Sequence, residues 1–186
     1  MAFLKIGLPL LLALSLLSLF VGVAQFGSGA RAWEILVVSR LPRLFAVLIT
    51  GAALAICGTI LQMLVRNRFV EPMTVGTGQG AALGILVVTL FTPTAPLLAK
   101  MGMATVTAFC ASLGFFAIAA RLPPTQPYLV ALVGLIYGGI IGAGVTFFAY
   151  QADLLQYIEI WTNGEFSGVL QGRYELLWLA AFVAAL

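Results

Sequence analysis

The chain of 186 residues contains no histidine and few charged side chains. Without histidine it lacks the usual general base of enzymes, the commonest metal ligand and any Ser-His-Asp arrangement. Charged residues make up 8% of the sequence and hydrophobic residues 62%, against about 25% and about 45–50% in ordinary globular domains. This composition excludes a soluble domain and predicts a membrane protein.

The remaining polar chemistry is sparse. No carboxylate lies deep in an apolar run, so the sequence offers no carrier for an intramembrane proton relay. Cys57 and Cys110 each lie inside an apolar run and are interpreted as small packing residues rather than as a metal site or a disulfide. The small net charge of +3 does not suggest binding to nucleic acid. We expect no catalytic residue, no metal site and no cofactor.

Long apolar runs predict an all-α, polytopic transmembrane helical bundle, because ~20 residues rising ~1.5 Å each cross the ~30 Å hydrocarbon core. The first run is longer than the ~7–15 residues of a signal peptide's apolar region, so we interpret it as a retained helix. A short interfacial stretch is expected at Trp33–Val38, and Lys100 is expected to reach water from a helix end. The predicted helices are Ile6–Phe26, Leu44–Val65, Val75–Phe91, Leu98–Ala120, Tyr128–Tyr150 and a partial sixth from Tyr174 to Leu186.

No soluble segment or low-complexity linker interrupts these runs, which predicts a single transmembrane domain over residues 1–186. The final run stops at Leu186 without a cap, a charge or a polar tail. A terminal carboxylate in hydrocarbon would lose its hydration. We therefore expect an N-terminal piece, truncated at its C-terminus, with five complete transmembrane helices and part of a sixth.

Glycine recurs every fourth residue in two of the predicted helices, at Gly76, Gly80 and Gly84 and again at Gly138 and Gly142. Such spacing lets helix backbones approach closely, which favours packing in lipid. A wall of a translocation path is the alternative, and the two interpretations are compatible. The run from Gly76 to Gly80 is not a phosphate loop, since it lacks both G-x-G-x-x-G and the G-K-[ST] ending and follows no strand.

An ordered motif runs from Arg40 to Gly84: R-x-P-R, then GAALA-x-x-G-x-x-x-Q, then N-x-x-x-E-P-x-x-x-G-x-x-x-G. It resembles the first half of the FecCD-type permeases, the membrane subunits of bacterial ABC importers for ferric siderophores, haem and vitamin B12. Arg68 departs from the pattern, since the family more often has proline there. The motif falls on Arg40, Pro42, Arg43, Gly51, Gly58, Gln62, Asn67, Glu71, Pro72, Gly76 and Gly80.

The resemblance implies a permease with a type II ABC importer fold in the bacterial inner membrane, with its N-terminus in the cytoplasm. It implies a homodimer or heterodimer with a second permease, two separate ATPase subunits and a periplasmic substrate-binding protein. The wording EPMTVGTGQGA is most similar to the siderophore branch, so the implied cargo is a ferric siderophore. A haem or cobalamin permease of the same family remains an alternative.

The resemblance also suggests site residues. Arg40 and Arg43 either anchor a helix end at the interface or dock the binding protein through its glutamates, as the family implies. Trp161 and Gly164 belong either to a re-entrant loop or to a gate at the outer mouth. The remaining candidates are Asn67, Glu71 and Pro72 for a cytoplasmic turn near the ATPase, and Gly51 and Gly58 with the five glycines above for helix packing or the translocation path.

Two other classes compete with this interpretation. An ion-coupled secondary transporter would need an ionisable residue or a broken helix near the membrane midplane, and the apolar runs show neither. A membrane-embedded enzyme is disfavoured because histidine is absent and the carboxylates are not clustered.

Overall fold

The computed structural model describes residues 2–21, 30–123, 127–164, 166, 169, 178, 181 and 182. Within these residues every regular element is helical and no β-strand occurs, which confirms the predicted all-α class. The helices are α1 (Ala2–Phe20), α2 (Ala30–Ile35), α3 (Leu41–Val65), α4 (Thr77–Phe91), α5 (Leu97–Ala119), α6 (Pro127–Gln151) and α7 (Leu155–Thr162).

Three helical stretches in the described part of the chain are long and apolar enough to cross a membrane: Trp33–Val65, Leu97–Ala119 and Tyr128–Gln151. Two shorter apolar helices, Lys5–Phe20 and Thr77–Phe91, correspond to the predicted first and third helices. The predicted sixth helix lies outside the described residues, apart from isolated positions.

The second helix begins earlier than predicted. α2 continues through a π-helical segment, Leu36–Arg40, directly into α3. Trp33–Val38 is therefore helical and continuous with α3, and its position at the membrane interface stays a prediction. The second helix was predicted to begin only after Arg43, but arginine is a good helix former and the helical backbone passes through both Arg40 and Arg43.

The chain forms two compact units, one of Met1–Ala53 with Phe166–Leu186 and the other of Leu54–Glu165. In the first unit, the buried guanidinium of Arg40 donates a hydrogen bond to the carbonyl oxygen of Leu19 near the end of α1. The apolar side chains of α1 are mostly exposed.

The second unit is built around α4, which packs against α5, α6 and α7. Thr92 ends α4 and Pro93 follows, because proline is not accommodated in a helix interior. Two apolar clusters fill this unit. One comprises Ala82, Ile85, Leu86, Val145, Ala149 and Ile158, and the other Leu61, Val70, Val75, Phe115 and Val130.

α4 starts at a break in the helix rather than at Val75 as predicted. A 3-10 turn, Pro72–Val75, is followed by Gly76 with φ of 84°, a left-handed conformation that glycine adopts without strain. Gly76 contacts Gly138, the twelfth of the 25 residues of α6. Gly76 therefore packs about halfway along α6, where the two glycines let the backbones approach closely.

Candidate functional site

The glycines of α4 bring its backbone against α5. A Cβ at Gly84 would lie 2.7 Å from the carbonyl oxygen of Met103 and 2.9 Å from the Cα of Ala104. A Cβ at Gly80 would lie 2.6 Å from the Cβ of Ala111. Because backbone atoms occupy the space, neither position accepts a larger residue without moving a helix.

The other glycines form a second contact, between α6 and the start of α4. A Cβ at Gly138 would lie 3.3 Å from the Cα of Gly76, and one at Gly142 would lie 3.3 Å from Cγ of Gln79. The expected single glycine face is thus divided, because Gly76 belongs to the turn and not to the helix.

Gly51 and Gly58 of α3 have more room. A Cβ at Gly51 would meet no atom within 4 Å, and one at Gly58 would lie 3.7 Å from Cδ of Pro72. In this chain they are not close-packing positions of the kind seen in α4.

A cavity of about 280 Å³ lies between α4, α6 and α7, and we call it the α7 cavity. The side-chain oxygen of Gln79 is buried and has no hydrogen-bond partner within the described part of the chain. A buried amide oxygen without a partner is energetically costly. Its lining residues are Met73, Gly78, Gln79, Ala82, Gly142, Val145, Thr146, Ala149, Leu155, Ile158, Glu159 and Thr162.

At one end of this unit, Lys100 of α5 is linked to α7. Its side-chain Nζ donates a hydrogen bond of 2.8 Å to the hydroxyl of Tyr157 and lies 3.4 Å from the carbonyl oxygen of Pro93. The ammonium also lies 5.0 Å from the centre of the Tyr157 ring. Lys100 is only 9% exposed, so the expectation that it reaches water was wrong, because Tyr157 and Pro93 supply the partners that water would otherwise provide.

The charge of Lys100 affects the pKa of Tyr157. Burial by itself raises the pKa of the Tyr157 hydroxyl. The hydrogen bond from Lys100, the contacts with Trp161 and Thr89 and the charge of Lys100 together lower that pKa by more, so the net pKa lies below its ordinary value. A nearby ammonium stabilises the negatively charged phenolate form of tyrosine, which lowers the pKa.

Trp161 and Gly164 lie at the other end of α7 rather than in one loop. Trp161 is in the helix, its ring centre 6.2 Å from that of Tyr157, and it packs against the cluster around Ile158. Gly164 follows the helix with φ of 71°. Of the predicted loop Trp161–Arg173, the part beyond Gly164 lies almost wholly outside the described residues.

The predicted turn residues form a compact local network. Asn67 is buried, and its side-chain oxygen accepts a hydrogen bond of 2.9 Å from the backbone N–H of Phe69. Glu71 and Thr74 form a reciprocal capping box, in which the N–H of Glu71 donates to the hydroxyl of Thr74 at 3.0 Å. Pro72 occupies the first position of the 3-10 turn, where its missing N–H costs nothing.

The two arginines of R-x-P-R differ in environment. Arg40 is 8% exposed and holds the Leu19 carbonyl, as described above, whereas Arg43 is exposed. The sequence places both near one another along the helix but does not distinguish them.

Sequence patterns gave no indication of Gln79, of Tyr157 as the partner of Lys100, or of α7 itself. A signal for α7 was present in Leu155–Thr162, where apolar residues recur every third position at Leu155, Ile158 and Trp161. The partners of Lys100 lay 57 residues away and carried no such local signal.

Comparison with known proteins identifies relatives of this chain. A profile of the FecCD transport family matches residues 8–186. The chain is 43% identical over 149 residues to the ferric-anguibactin transport system permease protein FatD of Vibrio anguillarum, covering 80% of this chain and 48% of that protein. It is 41% identical over 178 residues to the petrobactin import system permease protein YclN of Bacillus subtilis, covering 92% and 56%.

A vitamin B12 import system permease, BtuC of Vibrio cholerae, is 37% identical over 141 residues, covering 74% of this chain and 41% of that protein. The chain thus spans about half the length of the curated relatives it matches. Its fold is also similar to that of a solved ABC transporter in an inward-facing conformation, with a TM-score of 0.73, 24% identity, and coverage of 98% of this chain and 60% of the other. The family profile covers nearly the whole sequence, and the chain belongs to the FecCD transport family.

Proposed function

We propose that this chain is a transmembrane permease subunit of an ATP-driven importer that moves a ferric siderophore across the bacterial inner membrane. The observation that carries the proposal is the identity of 43% and 41% to permeases named for ferric anguibactin and petrobactin, against 37% over a shorter region of a vitamin B12 permease. The three apolar stretches long enough to cross a bilayer support a multi-pass membrane protein.

In the proposed assembly the chain pairs with a second permease subunit, and two ATPase subunits bind on the cytoplasmic side. A periplasmic binding protein delivers the cargo. The energy comes from ATP hydrolysis in the separate ATPase subunits, and this chain supplies the path. The turn at Asn67, Glu71 and Pro72 then lies on the cytoplasmic side, and α7 lies toward the periplasm.

The proposed path passes the α7 cavity. Its wall includes Gly142 and Gln79, and the side-chain oxygen of Gln79 has no hydrogen-bond partner among the described residues. Trp161 lies in α7 and Gly164 follows it, and we infer that this short helix acts as the outer gate. A gate must be able to move. α7 suits that role because it has eight residues, is joined to α6 by a turn and has few buried side chains.

Uptake by the reconstituted importer tests the proposal. The complete permease, its partner subunits and its binding protein are placed in proteoliposomes, and accumulation of an iron-55 siderophore is measured with internal ATP. We expect ATP-dependent uptake that cobalamin and haem do not compete with. Uptake of cobalamin alone would reassign the cargo, and uptake driven by an ion gradient without ATP would favour a secondary transporter.

Docking of the binding protein is assigned to Arg43, because it is the exposed arginine of the pair while Arg40 is engaged with α1. Arg43→Glu should weaken binding severalfold at low salt and less at high salt, since exposed pairs contribute about 0.2–1 kcal/mol and are screened. The control is Arg68→Glu, another exposed arginine that the proposal places on the cytoplasmic side. Titration of labelled binding protein measures both, and equal affinities for the two variants would remove Arg43 from the docking site.

A further inference from the structure

We propose that Lys100 and Tyr157 form a latch that fixes α7 against α4 and α5 and thereby holds one wall of the α7 cavity in place. Lys100 and Tyr157 are here positioning residues, which act by holding α7 in place. The inference rests on the proposed function insofar as α7 is taken as the outer gate, but the latch itself is defined by contacts within this chain.

α7 forms one wall of the α7 cavity. Four of the residues that line the α7 cavity, Leu155, Ile158, Glu159 and Thr162, belong to this helix. They recur at spacings of three and four residues and so lie on one face of the helix. Any movement of α7 away from α4 and α6 therefore opens the cavity.

α7 is short and is packed along one face. It has eight residues, of which Ile158 is buried and Leu155, Tyr157 and Trp161 are partly buried against the same cluster. Its connection to α6 passes through Asp153, which adopts a left-handed conformation with φ of 56°, as aspartate sometimes does. A helix this short with one buried anchor needs further contacts to stay in a single position.

Lys100 of α5 is buried. A lysine near a helix end normally extends its ammonium to water, but here it is 9% exposed and directed at Tyr157. Burying an ammonium is costly, and an apolar residue would pack into the same place without that cost. The lysine instead provides a directional hydrogen bond from α5 to α7. The carbonyl oxygen of Pro93, in the loop before α5, is a second acceptor for its ammonium.

The ring of Tyr157 reinforces the bond. The ammonium lies 5.0 Å from the ring centre, within the range of a cation–π contact. The ring also packs beside Trp161. Both the hydroxyl and the ring of Tyr157 therefore contribute contacts that hold the side chain in place.

The test measures opening directly, without cargo or ATP. In a complete permease whose Cys57 and Cys110 are replaced by alanine, Ala149→Cys places a thiol in the cavity at a position that is 0% exposed. Its rate of labelling by a water-soluble maleimide reports how often the cavity opens. Ala46→Cys, also 0% exposed but in the other compact unit, reports general loosening of the protein.

Tyr157→Phe removes the hydroxyl and keeps the ring, and Lys100→Met removes the charge and keeps much of the chain length. We expect each to speed labelling at position 149 about tenfold, consistent with loss of a hydrogen bond to a charged group. The double variant should add little, because both changes break the same bond. Tyr150→Phe, at a tyrosine that is 71% exposed on α6, is the matched control and should change nothing.

Unchanged labelling in both single variants would overturn the latch. Equal acceleration at positions 149 and 46 would also overturn it, because the pair would then stabilise the protein as a whole. Faster labelling at position 149 alone, together with unchanged siderophore uptake, would support the latch and contradict the role of α7 as a gate. Should one single variant fail to fold, the other gives the same readout.

Discussion

α3 and α4 have similar apolar sequences rich in small residues, but they differ sharply in their packing within this chain. α4 is 15 residues long and buries Gly80, Ala82, Gly84, Ile85, Leu86 and Thr89. α3 is 25 residues long and leaves most of its large apolar side chains exposed, among them Phe45, Leu54, Ile60 and Met63.

The difference lies in what the glycines meet. In lipid, apolar surface gains little by leaving its surroundings, so close van der Waals contact between backbones decides which helices associate. Gly80 and Gly84 meet the backbone of α5, whereas a Cβ at Gly51 would meet nothing within 4 Å. Apolarity therefore places both helices in the membrane, but only the glycines in contact fix α4 to its neighbours.

The largest effect is expected from Gly80→Leu. The new side chain would meet Ala111 and the backbone of Thr107, so α4 and α5 would have to separate, at a cost of about 3 kcal/mol or more. Gly102→Leu on α5 is the control, because a Cβ there meets nothing within 4 Å. Size-exclusion chromatography of fluorescently tagged protein in detergent measures the folded fraction. Similar folded fractions for the two variants would refute close packing at Gly80.

A smaller effect is expected from Gly76→Ala, which tests the break before α4. Alanine at φ of 84° is strained, and its Cβ would lie 3.1 Å from the ring of Tyr137, so we expect a loss of about 1–3 kcal/mol. Gly139→Ala in α6 has open space and should be neutral or slightly stabilising. Thermal unfolding in detergent compares them. A Gly76→Ala protein as stable as the control would mean that the break is not a fixed feature.

The smallest effect is expected from Tyr137→Phe. Its hydroxyl donates a hydrogen bond of 2.9 Å to the carbonyl oxygen of Ala111, which joins α6 to α5, and losing it should cost about 0.5–1.5 kcal/mol. Tyr150→Phe, at the exposed end of α6, serves as the control. A greater loss of thermal stability for Tyr150→Phe than for Tyr137→Phe would contradict the assignment.

The sequence predicted the long helices well because apolar length is a strong local signal. Predicted helices Leu98–Ala120 and Tyr128–Tyr150 correspond to α5 and α6 within a residue. The family also followed from the sequence, since the ordered motif from Arg40 to Gly84 was confirmed by the profile match.

Features that depend on contacts distant in sequence were not predictable in this way. The burial of Lys100 depends on its hydrogen bond to Tyr157, which is distant in sequence. The division of the glycine face depends on the left-handed turn at Gly76. The glycines in the apolar sequences of α3 and α4 gave no indication that only one set would meet a backbone. Distinguishing them required knowledge of which helices are neighbours.

The most direct test of the central claim is the same minimal substitution on the two helices, Gly84→Ala and Gly51→Ala, with thermal unfolding midpoints measured in detergent. A single methyl at Gly84 would lie 2.7 Å from the carbonyl oxygen of Met103, while at Gly51 it would enter open space. We predict a clear fall in the midpoint for Gly84→Ala and no fall for Gly51→Ala. Equal midpoints, or a larger fall for Gly51→Ala, would contradict the claim that backbone contact at the α4 glycines stabilises the packing of this chain.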